Sequence, residues 1–231
     1  MANDKRLVWD LPLRLFHWLL ALSILSSYLT AKTADFYWMQ IHMRLGYWTF
    51  GLILFRVIWG FVGPRHARFA NFLPSPTKLF WYLKGFFGGK TIHSIGHNPM
   101  GSLMVVLMLA LVAFQVFTGL FTSDGIFTDG PYVGAVDGDT AMRLRLLHGF
   151  NFNLILAAIS VHILAIILYR VVKKERLVGP MITGKKPAEH VPEAEAIHSS
   201  QLPKAVLVAL ISALVVYLVI HFAPAAPIPE Y

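Results

Sequence analysis

Five apolar runs separated by polar and charged connections organise the chain, and each approaches the 20 or so residues that a membrane-spanning helix needs. The pattern predicts spans over 11–30, 42–62, 99–121, 148–172 and 203–222. The third opens on Asn98, which can cap orphan N–H groups, and on Pro99, which suits the first helical position. A rival reading makes the first run a signal peptide, with Lys5 and Arg6 as its basic end and the small residues near Ala31 as a cleavage site. Asp10, Arg14 and His17 interrupt what should then be an apolar core. The expected fold is an all-α integral membrane protein. A four-helix transmembrane bundle occupies 1–180, a cytoplasmic linker 181–202, a fifth C-terminal transmembrane helix 203–222 and a periplasmic tail 223–231.

Composition strengthens this class. Of 231 residues, 56% are hydrophobic and 14% charged, against roughly 25% charged in soluble domains. The absence of cysteine excludes disulfides, thiolate metal sites, iron–sulfur clusters and the CxxCH attachment of a c-type haem, so any haem must be held non-covalently. The net charge of +8 is spread over loops and reads as topology rather than as a nucleic-acid surface. Lys5, Arg6 and Arg14 lie at the N-terminal end. Arg65, Arg68, Lys78, Lys84 and Lys90 lie between spans two and three, and Arg170, Lys173, Lys174, Arg176, Lys185, Lys186 and Lys204 between spans four and five. The opposite side has Lys32, Arg44, Arg143 and Arg145 and collects Asp35, Asp124, Asp129, Asp137 and Asp139. The positive-inside rule then puts the N-terminus in the cytoplasm of a bacterial inner membrane and the C-terminus in the periplasm.

Four histidines sit inside or at the edge of these runs: His17, His42, His148 and His162. Ionisable side chains at membrane depth are costly and mark pathways for ions, protons or electrons. His148 and His162 are fourteen residues apart, which is about 21 Å of helix and a return to nearly the same face. Orientation gives each histidine a depth. His17 and His162 both lie roughly 10 to 15 Å in from the cytoplasmic side, while His42 and His148 open spans two and four on the outer side. The positions form two level pairs. Imidazoles facing each other across about 4 Å of iron coordination are what a six-coordinate b haem requires, inside an apolar helix bundle. A lone histidine at a helix end is more often interfacial; the joint pattern carries the argument. One zinc ion cannot bridge ligands about 20 Å apart with bonds of about 2 Å, and a proton relay would want carboxylates that the spans lack.

The chain resembles the bacterial cytochrome b561 family, including the b-type cytochrome subunits of nickel–iron hydrogenases. The likeness lies in VWDLPLRLFHWLLALSI, in IHMRLGYWTFGLILFRVIWGFVGPRHARF, in GHNPMGSLM and in the H-x13-H spacing of the fourth run, and it covers about residues 6 to 175. The resemblance implies two haem b groups with bis-histidine ligation by the four positions above, and electron exchange between membrane quinone and a redox partner. Span five and the connection before it depart from the compact four-span members.

Other residues have narrower readings. Arg56, fourteen residues after His42, should reach the inner haem's level and pair with a propionate; the alternative is a snorkelling arginine. Arg143 and Arg145 could serve the outer haem, against a solvated loop. His93 and His97 are spaced i, i+4, but Gly96 and Asn98-Pro99 argue against a metal pair on a helix. His66, His190 and His198 read as surface residues and His221 as interfacial, and YLKGFFGGK reads as a membrane-surface segment with Lys84 and Lys90 towards headgroups. The acidic outer connection is expected to dock a periplasmic c-type cytochrome or similar protein. The favoured function is electron transfer between quinone and a redox partner, a c-type cytochrome or a hydrogenase-like subunit. A self-contained oxidoreductase acting on a small species such as superoxide, and a pure membrane anchor, are the competing classes; a homodimer stays open.

Overall fold

The computed structural model describes residues 4–33, 35–87, 95–125 and 128–224. His93, Lys90 and most of the C-terminal tail fall outside them. In chain order the elements are β1 (Lys5–Leu7), α1 (Leu11–Thr33), α2 (Phe36–Val62), α3 (Phe69–Phe72), α4 (Pro76–Phe87), α5 (Pro99–Leu120), α6 (Gly138–Val171), α7 (Val178–Thr183), β2 (Lys185–Pro187) and α8 (Leu202–His221). The helices α1, α2, α5, α6 and α8 are long and apolar enough to cross a membrane. They keep large apolar side chains on their outer faces, such as Leu22, Phe61, Val161 and Leu210. Helices suit a bilayer because their backbone groups are satisfied within the segment.

Two helices begin earlier than the hydrophobic pattern indicates. Asp35 Oδ1 accepts from Trp38 N at 2.9 Å and starts α2 at Phe36. Asp137 accepts from Thr140 N at 2.8 Å and from Thr140 Oγ1 at 2.7 Å and starts α6 at Gly138. Both carboxylates are N-caps. His42 and His148 therefore lie within helices rather than opening them, and Arg143 and Arg145 are exposed on the first turns of α6 rather than in a loop. Asn98 caps α5 through Gly101 N at 2.7 Å, as its sequence position implies.

The chain forms two compact units. The first comprises Met1–His17, Arg56–Met108 and Ala158–Val208. Its interior centres on Val8, Trp59, Ala67 and Val191, each with no exposed surface. Residues 181–202, read from the sequence as a linker, follow an ordered path here. β2 pairs antiparallel with β1, with Arg6 opposite Lys186, and Ile197 N donates to Leu7 O at 2.9 Å. Gly184 ends α7 at φ +80°, and its carbonyl accepts from Val8 N and Trp9 N at 2.8 and 3.0 Å. A Cβ there would stand 2.6 Å from Trp9 O, so glycine is required by both conformation and space.

The second unit comprises Trp18–Phe55, Leu109–Ala157 and Ala209–Tyr231. Leu52, Val112 and Ile155 lie at its core. Its buried hydroxyls return their protons to the preceding helical turn: Ser23 to Leu19 O, Thr30 to Ser26 O, Thr49 to Leu45 O and Thr118 to Phe114 O. Tyr132 donates to Val219 O at 2.8 Å and ties the connection before α6 to α8.

Candidate functional site

The first unit brings His17 of α1 and His162 of α6 together, with ring centroids 6.4 Å apart and planes inclined by 55°. In the second unit the rings of His42, from α2, and His148, from α6, stand 6.3 Å apart at 76°. Metal–imidazole bonds of about 2.1 Å separate two facing nitrogens by about 4 Å, and about 1 Å more to each ring centre gives about 6 Å. Both separations fit a metal ion held between two imidazoles.

Local chemistry prepares the second pair for that role. His42 Nδ1 lies 2.9 Å from Ser27 O and His148 Nδ1 3.0 Å from Thr118 Oγ1. A carbonyl can only accept, and the Thr118 hydroxyl already donates to Phe114 O. Each Nδ1 therefore carries the proton, and each Nε2 keeps a lone pair for a metal, an outer-sphere arrangement that also fixes ring orientation. Gly119 adjoins His148: a Cβ there would approach the ring at 3.1 Å. One turn beyond His148, Asn151 is buried and donates to Gln115 Oε1 at 2.7 Å and to Leu111 O at 2.9 Å.

The first unit adds charge. Arg56 is 1% exposed, its guanidinium 4.8 Å from the Phe69 ring centre and 5.7 Å from that of Phe72. Neither Nη1 nor Nη2 has a hydrogen-bond partner among the described residues. Asp10 caps α1 by accepting from Leu13 N at 2.9 Å, and the same oxygen accepts from Trp59 Nε1 at 3.0 Å. Burial raises the pKa of its carboxyl despite those bonds. Asn98 also donates to Tyr169 OH at 2.9 Å, which lies 2.6 Å from Tyr82 OH; burial, helped by that contact, pushes the Tyr82 phenol upward.

Two histidines differ from their sequence reading. His66 is buried rather than on the surface, because Glu195 O, from the ordered stretch before α8, lies 2.8 Å from its Nε2. His97 packs between Trp9 and Phe72, at 4.6 and 4.9 Å. Sequence reasoning also missed Ser27, Thr118 and Gly119, which lack any motif of their own. Arg145 reaches Asp124 O at 3.3 Å. Asp124 spends both carboxylate oxygens on Thr128, as Asp137 does on Thr140; Asp124 is half-buried, whereas Asp129, Asp137 and Asp139 are exposed.

A multi-pass helical membrane protein with paired imidazoles among its apolar spans is the class that this architecture defines. Residues 8–184 match the prokaryotic cytochrome b561 family, and the chain belongs to it. It is thus a b-type cytochrome of membrane electron transfer, with haem b as its cofactor. A protein of Rhizobium leguminosarum bv. viciae named "Probable Ni/Fe-hydrogenase B-type cytochrome subunit" is 26% identical over 209 residues, covering 78% of this chain and 87% of that protein. A protein of the same name from Rhodobacter capsulatus is 24% identical, over 78% and 80% of the two chains. The corresponding hydrogenase 1 subunit of Escherichia coli strain K12 is 23% identical, over 77% and 88%. No solved structure matches the chain.

Proposed function

We propose that this chain carries electrons across the bacterial inner membrane on two b haems, one ligated by His17 and His162 and the other by His42 and His148. It exchanges them between membrane quinone and a redox subunit of the hydrogenase kind for which its relatives are named. The observation that carries this reading is the matched separation of the two imidazole pairs, 6.4 and 6.3 Å. Bound haem supplies a one-electron iron couple at each site. The chain's own residues do the rest. Ser27 O and Thr118 Oγ1 hold His42 and His148 in the tautomer that offers Nε2 to iron. Arg56 offers buried, unpartnered donors to a propionate of the haem held by His17 and His162. The Lys and Arg distribution supports a cytoplasmic N-terminus, which makes the His17 and His162 site the inner one.

The purified chain is expected to bind two haems per polypeptide and to show a b-type reduced-minus-oxidised spectrum, with both haems reduced by quinol. A single haem per chain, or two that quinol does not reduce, overturns the proposal.

A further inference from the structure

Arg56 and His97 together present three buried nitrogens without a hydrogen-bond partner among the described residues: Nη1 and Nη2 of the guanidinium and Nδ1 of the imidazole. Both side chains stand against one ring, that of Phe72, at 5.7 and 4.9 Å from its centre. His97 is not free to swing away. Trp9 closes on it from another side, and the chain just before it runs so near its neighbours that a Cβ on Gly96 would stand 3.1 Å from His66 Nδ1.

Arg56 and Lys186 bring positive charge to this corner of the first unit, and both act on His97. Burial, with those charges added, holds its imidazole neutral, with a pKa down at about 3. Of the carboxylates at hand, Asp10 attracts Arg56 through space but makes no hydrogen bond to its Nη1 or Nη2 and has one oxygen committed to Leu13 N and Trp59 Nε1, and Glu175 faces Lys186 at 3.8 Å. Residues 88–94, GGKTIHS, supply none. A buried guanidinium is stable only when a hydrogen-bonded counter-charge meets it, and a planar carboxylate is the anion that its fork fits. A second donor beside the fork completes the cradle.

We propose that Arg56 and His97 jointly clasp one propionate carboxylate of the haem held by His17 and His162, the guanidinium through charge-assisted bonds and His97 through its Nδ1–H. This rests on the two-haem reading above. The carboxylate neutralises the guanidinium, and in return the two donors disperse the negative charge that would otherwise favour ferric over ferrous iron. His97 thereby sets the potential of one haem without touching iron.

The test is a redox titration of the holoprotein, with haem-to-chain ratio and the propionate bending bands in resonance Raman spectra as accompanying readouts. His97→Phe refills the slot between Trp9 and Phe72 without a donor, and His97→Leu is a second variant of the same kind should the first not accumulate. His97→Asn keeps a donor near the position of Nδ1. In the Phe or Leu variant both haems are expected to stay bound. One midpoint should fall by about a tenfold shift in its reduction equilibrium, about 59 mV for one electron, with a shifted propionate band. His97→Asn should stay near the parent chain. Adding Arg56→Leu to His97→Phe should lower the same midpoint by less than the sum of the single changes, because both donors act on one carboxylate. The inference is overturned if two haems are present and neither midpoint nor the propionate band moves. It is equally overturned if His97→Asn behaves as His97→Phe, which would mark a packing role. A parent chain with fewer than two haems overturns the two-haem reading and this inference with it.

Discussion

The two units hold their imidazole pairs at nearly the same separation, 6.4 Å in the first and 6.3 Å in the second, yet support them by different chemistry. In the second unit the support is neutral hydrogen bonding: a carbonyl one helix away from His42, a hydroxyl one helix away from His148, and glycine where a side chain would press on a ring. The first unit instead contains a buried arginine, Arg56, together with His66 and His97. Hydrogen bonds orient the rings of the second pair, whereas buried charge marks the first unit. On the proposed two-haem reading the haems should differ in potential, with the first-unit site the more easily reduced because buried positive charge favours the ferrous state.

Ligand replacement tests the comparison most severely. His17→Ala and His162→Ala should each remove one and the same haem, and His42→Ala and His148→Ala the other, leaving about half the haem content in every case by pyridine haemochrome assay. Any cross-pairing would end the two-site description. Next in size is Gly119→Val: with a Cβ already 3.1 Å from the His148 ring, the larger side chain should displace that ring and deplete the second-unit haem, while the midpoint of the first stays put. Thr118→Val should be milder. It removes one acceptor from His148, which also bonds the Gln115 backbone, and losing an outer-sphere partner typically weakens metal binding about 10- to 100-fold. Competitive haem extraction by an apo-haem acceptor should show faster loss from the second site alone.

The smallest expected effect concerns the start of α6. Hydrogen bonds from the Thr140 backbone and hydroxyl hold the Asp137 carboxyl below the usual carboxylate range. A carboxyl whose pKa is depressed on folding stabilises the folded chain above the unfolded pKa and loses that contribution as pH falls through the folded one. The thermal stability of the parent chain should exceed that of Asp137→Ala at pH 7, and the gap should narrow below about pH 4. A gap that is unchanged in acid would remove the cap from the account.

Much of the fold was legible because a bilayer imposes length and apolarity on each span, so hydropathy alone located the five long helices. Their beginnings were less legible. Asp35 and Asp137 look like loop charges in a hydropathy count, and only their bonds to Trp38, Thr140 and the helix backbone mark them as caps. The recurrence of His148 and His162 on one face follows from the helical period, and Arg56 could be placed by the same counting from His42. His66 and His97 could not. Their surroundings come from Glu195, Trp9 and Phe72, which lie far away in sequence.

By itself, then, the sequence determined a polytopic helical protein, its span count and the helix face that His148 and His162 share, because these depend on composition and on a fixed rise and twist per residue. Tertiary structure decided which ring nitrogen of His42 and His148 is left for a ligand, which buried nitrogens of Arg56 and His97 go without a hydrogen-bond partner among the described residues, and that residues 185–187 pair with the N-terminal strand. Such choices turn on hydrogen bonds between residues distant in the chain, and no local periodicity encodes where those partners will meet.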